Sequence, residues 1–436
     1  MQILRFFAKK PVGAVIATAF SVALFAPASS ALAATDVNVW HSLNAHNKQV
    51  FESLVKRFNR AQDDVHVRLQ AFDDTRAIDG ALAMVSEDDA RPNLVQLDET
   101  KVPDMPAYRS YIQPLHQLLA RHPIGEVDWF LPAQNLAARD SQGRLTAFPY
   151  MLDVPVMFYN VAALEKAGLA PAKPSRSWSA LQKQVVTMAN NGSRQCPITS
   201  DQPVSINLEN LAAVNNQNFV TQGPGGAPGF KFDALYIRHL SLMISWVRSE
   251  LLVKPEFNSV AGQRFADGEC GILLSHSGNL GWFDSNRGLN YAISAIPYYP
   301  EVTETPGLPF VGGAGLWATK GHGDAAEAAT AAFLGWLSKP EQAQTWFEST
   351  GFLPLTQQAY SNATLKGEAM QQWAAIVEPY AKEPVATSRG FKINNYPEIR
   401  ALFNKTMDSA LGGEQSAVSA LQSASDEAGK ISSKAP

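Results

Sequence analysis

Cysteine is scarce in this chain: two residues in 436. That excludes a disulfide-dense scaffold and a Cys-rich zinc module. Charge is scarce as well. Charged residues make up 17%, against roughly 25% in ordinary soluble domains. The formal net charge is −4, so the basic footprint of a nucleic-acid binder is missing. The eight histidines include no His-Glu-x-x-His or other metal-spaced pair. No Gly-x-Ser-x-Gly elbow of an α/β-hydrolase is present. The glycine-rich stretch from Gln222 to Gly229 lacks the Gly-Lys-Ser/Thr ending of a phosphate loop. Nothing here calls for a cofactor or a metal. The 46% hydrophobic content is what a large globular protein with a sizeable core requires, with room for two or three domains.

The one long apolar run is at the N-terminus. Arg5, Lys9 and Lys10 precede Val12 to Ala26, and Ala31-Leu32-Ala33 follows. A positive segment, a short apolar segment and small residues make a secretory signal peptide over residues 1–33. The alternative is a membrane anchor, but about 15 residues fall short of the ~20 that span a bilayer. Export makes Cys196 and Cys270 candidates for a single disulfide, with two buried free thiols as the alternative. Such a bridge closes a loop of about 75 residues, worth about 4 kcal/mol in the chain-entropy account.

After residue 33 the pattern alternates. Val37 to Trp40 reads as a strand; Val50, Phe51, Leu54, Val55 and Phe58 share one helical face; Val65 to Phe72 is a second strand. A helix near 76–86 and a strand at Asn93 to Leu97 follow. Strand–helix repetition with short connections predicts an α/β domain with a mostly parallel sheet. Its ligand crevice is expected at the carboxyl ends of the strands, which carry Trp40-His41-Ser42, Asp73-Asp74 and Asp98-Glu99. A second α/β region starts near Thr146, with strands at Val154–Tyr159, Gly271–Ser275 and Tyr291–Ile296 and a helix over Trp178–Ala189. Helices dominate from Asp324 onwards.

Two later segments stand out. Phe310 to Trp317 is strand-like with three glycines, which suit close approach of a ligand or a hinge, or else a bulged strand. Gly390 to Arg400 sets Lys392, Arg400, two amides and a Tyr before a helix, and its arginine suits a carboxylate or phosphate. Asp98, Glu99 and Asp153 also leave a hydrolase open, since paired carboxylates acting across a glycoside or phosphodiester bond need a geometry that sequence does not reveal.

Phe158-Tyr159-Asn160-x-x-x-Leu164-x-Lys166, with Val39-Trp40-His41-Ser42, Gln96 to Glu99, Gly268-Glu269-Cys270, Gly312-Gly313-Ala314-x-Leu316-Trp317, Gly351 to Thr356 and Pro397-x-Ile399-Arg400, resembles family 1 of the extracellular solute-binding proteins, the maltose-binding type, in its glycerol-phosphate-binding branch. The paired cysteines also match. The resemblance implies a two-lobed flytrap fold with a sheet in each lobe and a ligand cleft between them. One lobe is expected over 34–147 and 302–350, the other over 148–301 and 351–436. It further implies a periplasmic, monomeric, non-enzymatic protein that closes on its ligand and delivers it to membrane permease subunits powered by a cytoplasmic ATPase.

The implied ligand is glycerol 3-phosphate or a glycerophosphodiester, with a sugar or oligosaccharide as the alternative. Glu99, Gly313 and Arg400 stand where glycerol-phosphate binders have the same residues: Glu99 for glycerol hydroxyls, Gly313 as a backbone amide, Arg400 for phosphate. Other positions depart from that pattern. Arg76 stands in place of a Tyr, Asp153 and His276 in place of serines, with Ser277 adjacent, and Phe352 in place of a Tyr. Gln202 and Ser205 stand where close relatives have Trp. Asp153 is expected to repel a phosphate unless Arg76 or Arg400 pairs with it.

Overall fold

The computed structural model describes residues 34–85, 91–98, 110–222, 228–255 and 260–434. The expected signal peptide and Glu99 lie outside the described residues. Before the middle of the chain the strands are β1 (Thr35–His41), β2 (Val65–Ala71), β3 (Leu94–Asp98), β4 (Ile112–Gln113) and β5 (Phe148–Asp153). Then come β6 (Pro155–Asn160), β7 (Cys196–Ser200), a two-stranded ribbon of β8 (Thr221–Gln222) and β9 (Pro228–Gly229), β10 (Cys270–His276), β11 (Tyr291–Ala295) and β12 (Gly312–Thr319).

They form two main sheets. The first has the order β2-β1-β3-β12-β4, with β5 also on β12; the second has the order β11-β6-β10-β7. Each is mixed rather than mostly parallel. Pairs β1–β2, β1–β3 and β7–β10 are parallel. Pairs of β12 with β3, β4 and β5, and of β6 with β10 and β11, are antiparallel. Strand–helix–strand crossovers impose parallel pairing. β12 is under no such constraint, because it re-enters the first sheet after the long excursion through the second.

Local sequence explains the elements near the cleft. The helix Ala45–Ala61 starts where the Asn44 side chain accepts the Asn47 N–H, and buries Phe51, Leu54, Val55 and Phe58 against the first sheet. β6 is buried at every position because it is a central strand covered on both faces, which is why it reads as a continuous apolar run. Behind the first sheet, Trp346 stacks on Tyr150 at 4.5 Å and on Phe352 at 5.5 Å. Its indole N–H donates to the Tyr150 carbonyl at 2.6 Å.

The chain passes between the sheets at places that differ from the expected ones. Residue 148 begins β5, and β5 pairs with β12 from Phe148↔Leu316 to Gly312↔Asp153. The first sheet therefore ends at Asp153, and Val154 alone separates it from β6. Likewise residues 351–361 stay with the first lobe. Leu353 donates to the Leu152 carbonyl, Phe130 donates to that of Leu355, and Trp129 bridges Thr356. From the helix Glu368–Val377 onward the chain packs with the second sheet, where Gln372 accepts the Ile293 N–H at 2.9 Å. Hydrogen bonding across β5–β12 carries the first lobe past the division that the resemblance implied.

Cys196 and Cys270 form a disulfide between directly paired positions of the parallel strands β7 and β10. Both are fully buried. Replacing both by alanine is expected to lower unfolding stability by about 2–4 kcal/mol, read as a fall in the denaturant midpoint; an unchanged midpoint would remove the bridge from the stabilising interactions.

Candidate functional site

The carboxyl ends of β1, β3 and β5 and the start of β12 lie along one edge of the first sheet, because Gly312 pairs with Asp153 and Ala314 with Asp98. In the second sheet the ends of β7 and β10 lie side by side, and His276 pairs with Pro155 at the start of β6. The two edges meet at Val154. Its N–H donates to the Ser277 hydroxyl at 3.3 Å, and its carbonyl accepts the Ser277 N–H at 2.9 Å.

Acidic and basic groups converge at that junction. Asp153, the last residue of β5, is 2.9 Å from His276, the last residue of β10, measured from Oδ2 to Nδ1. Asp201, just past β7, accepts a 2.8 Å hydrogen bond from the Ser275 hydroxyl. That hydroxyl itself accepts one from Asn279 at 3.0 Å. The other Asp201 oxygen, Oδ1, is buried without a hydrogen-bond partner. Burial disfavours charge on His276, but Asp153, then Asp201 and Asp98, outweigh it and push its pKa up to about 9. Burial pushes the Asp201 carboxyl up, opposed by His276. The imidazolium side chain is 33% exposed and that of Asp153 10%, so the cluster opens to solvent on the histidine side.

Backbone geometry frames the pair. Gly313 has φ +86°, and a Cβ there would run into the Met151 carbonyl and press on Asp153; glycine is needed to bring β12 this close. Gly351, at φ +83°, leaves equally little room beside the Ser277 carbonyl. Next to it, Phe352 is buried and would lie 2.8 Å from a Cβ on Gly278. From the first lobe, Asn47 donates to the Gly278 carbonyl at 2.8 Å.

Of the sequence candidates, Asp153, His276, Ser277, Gly313 and Phe352 come together here. Ser277 is fully buried and engaged with Val154, so it holds the crossing. Phe352 extends the Tyr150–Trp346 stack. Arg76 stands elsewhere: its side chain is 88% exposed and pairs with Asp74 at 2.9 Å in the first turn of the helix Thr75–Met84. Arg400 lies within the helix Tyr396–Leu411 rather than before it. Its Nε is 3.1 Å from Glu209 Oε1, which also accepts the Tyr396 hydroxyl. Asp201 and Glu209 were not singled out from the sequence. Asp201 had a signal, since it directly follows a strand, but that strand is the short Cys-Pro-Ile-Thr-Ser segment, where proline masks the pattern.

Among the described residues no group of His, Cys, Asp and Glu is arranged to hold a metal ion, and no helix is long and apolar enough to cross a membrane. A hollow of about 430 Å³, lined by Ser241, Ser245, Arg248 and Ser416 among others, shares no residue with the acidic cluster.

Residues 53–376 match the family model described as bacterial extracellular solute-binding protein. The chain belongs to that family. Curated relatives include the sn-glycerol-3-phosphate-binding periplasmic protein UgpB of Rhizobium meliloti, 28% identical over 410 residues, covering 92% of this chain and 94% of that protein. The protein of the same name from Salmonella typhimurium is 27% identical over 436 residues, covering 95% and 96%. Among solved structures, the GacH receptor of Streptomyces glaucescens superposes with a TM-score of 0.73 at 17% identity, covering 92% of this chain and all of that one. UgpB from Mycobacterium tuberculosis in complex with glycerophosphocholine superposes with a TM-score of 0.71 at 16% identity, covering 91% and 98%. The fold is thus the two-lobed solute-binding fold, and the protein is an extracellular solute-binding protein.

Because the folded pKa of His276 lies above the ordinary value of 6.5, its ion pair stabilises the fold fully below about pH 6.5 and loses that contribution as the pH rises through about 9. The stability gap between wild type and His276→Asn is therefore expected to narrow over that window in denaturant titrations. A gap constant with pH would contradict the raised value.

Proposed function

We propose that the protein binds a glycerol-containing phosphate ester in the cleft at Val154 and hands it to a membrane permease driven by a cytoplasmic ATPase. In this reading it works as a monomer in the periplasm after removal of residues 1–33, by binding and delivery rather than by catalysis. Support comes first from relatives named for sn-glycerol 3-phosphate that align over nearly the whole chain. It comes also from the site, where polar groups of both lobes face each other across a single-residue crossing. A ligand that touches both lobes favours the closed state by its differential contacts there.

In this assignment Asp153, His276 and Glu99 take the glycerol hydroxyls and Gly313 offers its backbone amide. Arg400 takes the phosphate on the second-lobe side, where Glu209 and Tyr396 hold its guanidinium in place. Arg76 contributes only on exchanging Asp74 for the ligand. A second reading, a sugar or oligosaccharide, is favoured by one observation: Asp98, Asp153 and Asp201 around one imidazolium are good hydroxyl acceptors.

Isothermal titration of the mature protein, stripped of ligand by unfolding and refolding, tests this. Saturable binding of glycerol 3-phosphate or glycerophosphocholine, with none of maltose, is the expected outcome. Binding of maltose alone would replace the phosphate-ester reading with the second one, and turnover of any of the three would overturn delivery as the function.

A further inference from the structure

Asp201, just past β7, has a buried carboxylate oxygen, Oδ1, without a hydrogen-bond partner. A buried acceptor left in that state is costly and calls for a reason. The hydrogen bonds around it bear on its charge. Asn279 donates through Nδ2 to the Ser275 hydroxyl at 3.0 Å. The single hydroxyl proton therefore goes to Asp201 Oδ2, 2.8 Å away. A proton on Oδ1 would have no acceptor, so a neutral carboxyl would bury an unused O–H. An ionised one acts on the His276 ring, one residue beyond Ser275. Burial weighs against charge on that ring, while Asp153, Asp201 and Asp98, in that order, favour it.

The ring is held from both lobes. Nδ1 lies 2.9 Å from Asp153 Oδ2 at the end of β5, and Asp201 acts from the end of β7. With Nδ1 facing Asp153, Nε2 is the ring atom left to a ligand, on a side chain that is 33% exposed. In the imidazolium both nitrogens donate. In a neutral ring whose Nδ1 keeps its proton for Asp153, Nε2 becomes an acceptor. Charge on the ring therefore decides whether the cleft offers a donor or an acceptor at this point.

We infer that Asp201 is a positioning residue for ligand recognition: together with Asp153 it fixes the His276 ring so that Nε2 donates to a ligand oxygen. This step rests on the reading above, in which His276 meets a glycerol hydroxyl. Asp201 does not touch the ligand itself, since Oδ1 is buried and Oδ2 is taken by Ser275.

Glycerophosphocholine is the probe, because a phosphodiester lacks the second ionisation of a monoester and keeps its charge between about pH 6 and pH 10. His41, at the end of β1, stays neutral over that range, since burial and then Lys48 hold its pKa down to about 4. The mature protein and Asp201→Asn are titrated calorimetrically across the range, and the His276 ring signals are followed by NMR in both. In the wild type, affinity is expected to fall as the ring titrates through about 9, by roughly tenfold at one pH unit above that midpoint. In Asp201→Asn the ring midpoint and the fall in affinity should move to lower pH together, by about one unit. At pH 6, where the ring is charged in both, the two proteins should bind within about threefold of each other. A circular dichroism melt verifies folding, and Asp201→Ser is a second neutral variant.

A loss of affinity in Asp201→Asn that is equal at every pH, with the ring midpoint unmoved, makes Asp201 merely structural and overturns the inference. A moved midpoint without a moved binding profile also overturns it, because His276 then does not donate to the ligand. Absence of glycerophosphocholine binding by the folded wild type overturns the phosphate-ester reading instead, and the NMR midpoints still decide whether Asp201 governs the ring.

Discussion

The structure hangs on a junction one residue long. β5 ends at Asp153, β6 begins at Pro155, and Val154 between them is clamped by two hydrogen bonds to Ser277. So short a link leaves no slack. The loop edges of both sheets must face the same point, and whatever stands last on β5 and β10 must be in contact. The Asp153–His276 ion pair follows from that constraint, as does the need for glycine at positions 313 and 351, where other backbone presses against the same spot. Pro155 contributes by lacking an N–H at the position where β6 meets His276.

Around the junction the packing divides into layers with separate tasks. The Tyr150–Trp346–Phe352 stack stiffens the first lobe directly behind Asp153. In the second lobe, His239 is buried between Asn207 and the Tyr299 hydroxyl, and burial drives its pKa down to about 3. The two histidines show how environment sets charge: His239 has neutral partners and stays uncharged, whereas His276 has carboxylates and keeps its proton. Lobe-to-lobe contact on the far side of the junction is made by neutral amides, Asn47 to the Gly278 carbonyl and Asn44 to Asn279. Charge is thus concentrated on the solvent-open side.

Much of the fold was legible in the sequence because its signals are local. The helical face of Phe51, Leu54, Val55 and Phe58 and the apolar run of β6 appear in the structure where periodicity put them. The division at 147/148 was misplaced because Phe148 to Tyr159 reads as one apolar stretch, interrupted by a charge only at Asp153; which sheet a strand joins is decided by a partner more than 150 residues away. The expectation of mostly parallel sheets failed for the same reason. Asp153 and His276 could be picked out through the resemblance, as positions that depart from its serines. That they touch could not, since their proximity depends on the register of β6 against β10 and on the one-residue link from β5 to β6. The Arg76–Asp74 pair is a local contact at the start of a helix, which residue types alone did not reveal.

The disulfide has a role beyond holding strands together. Cys196 and Cys270 are opposite each other at the start of the β7–β10 pair, and at its other end Leu274 is opposite Ser200. Beyond that point Ser275 reaches Asp201. A slip of one residue would turn every side chain of β7 to the opposite face and carry Asp201 away from the imidazole. The covalent bond therefore acts as an alignment pin for the acidic cluster at the far end of the same strand pair. One cross-link made early in two strands fixes, through their register, which side chains meet where those strands end.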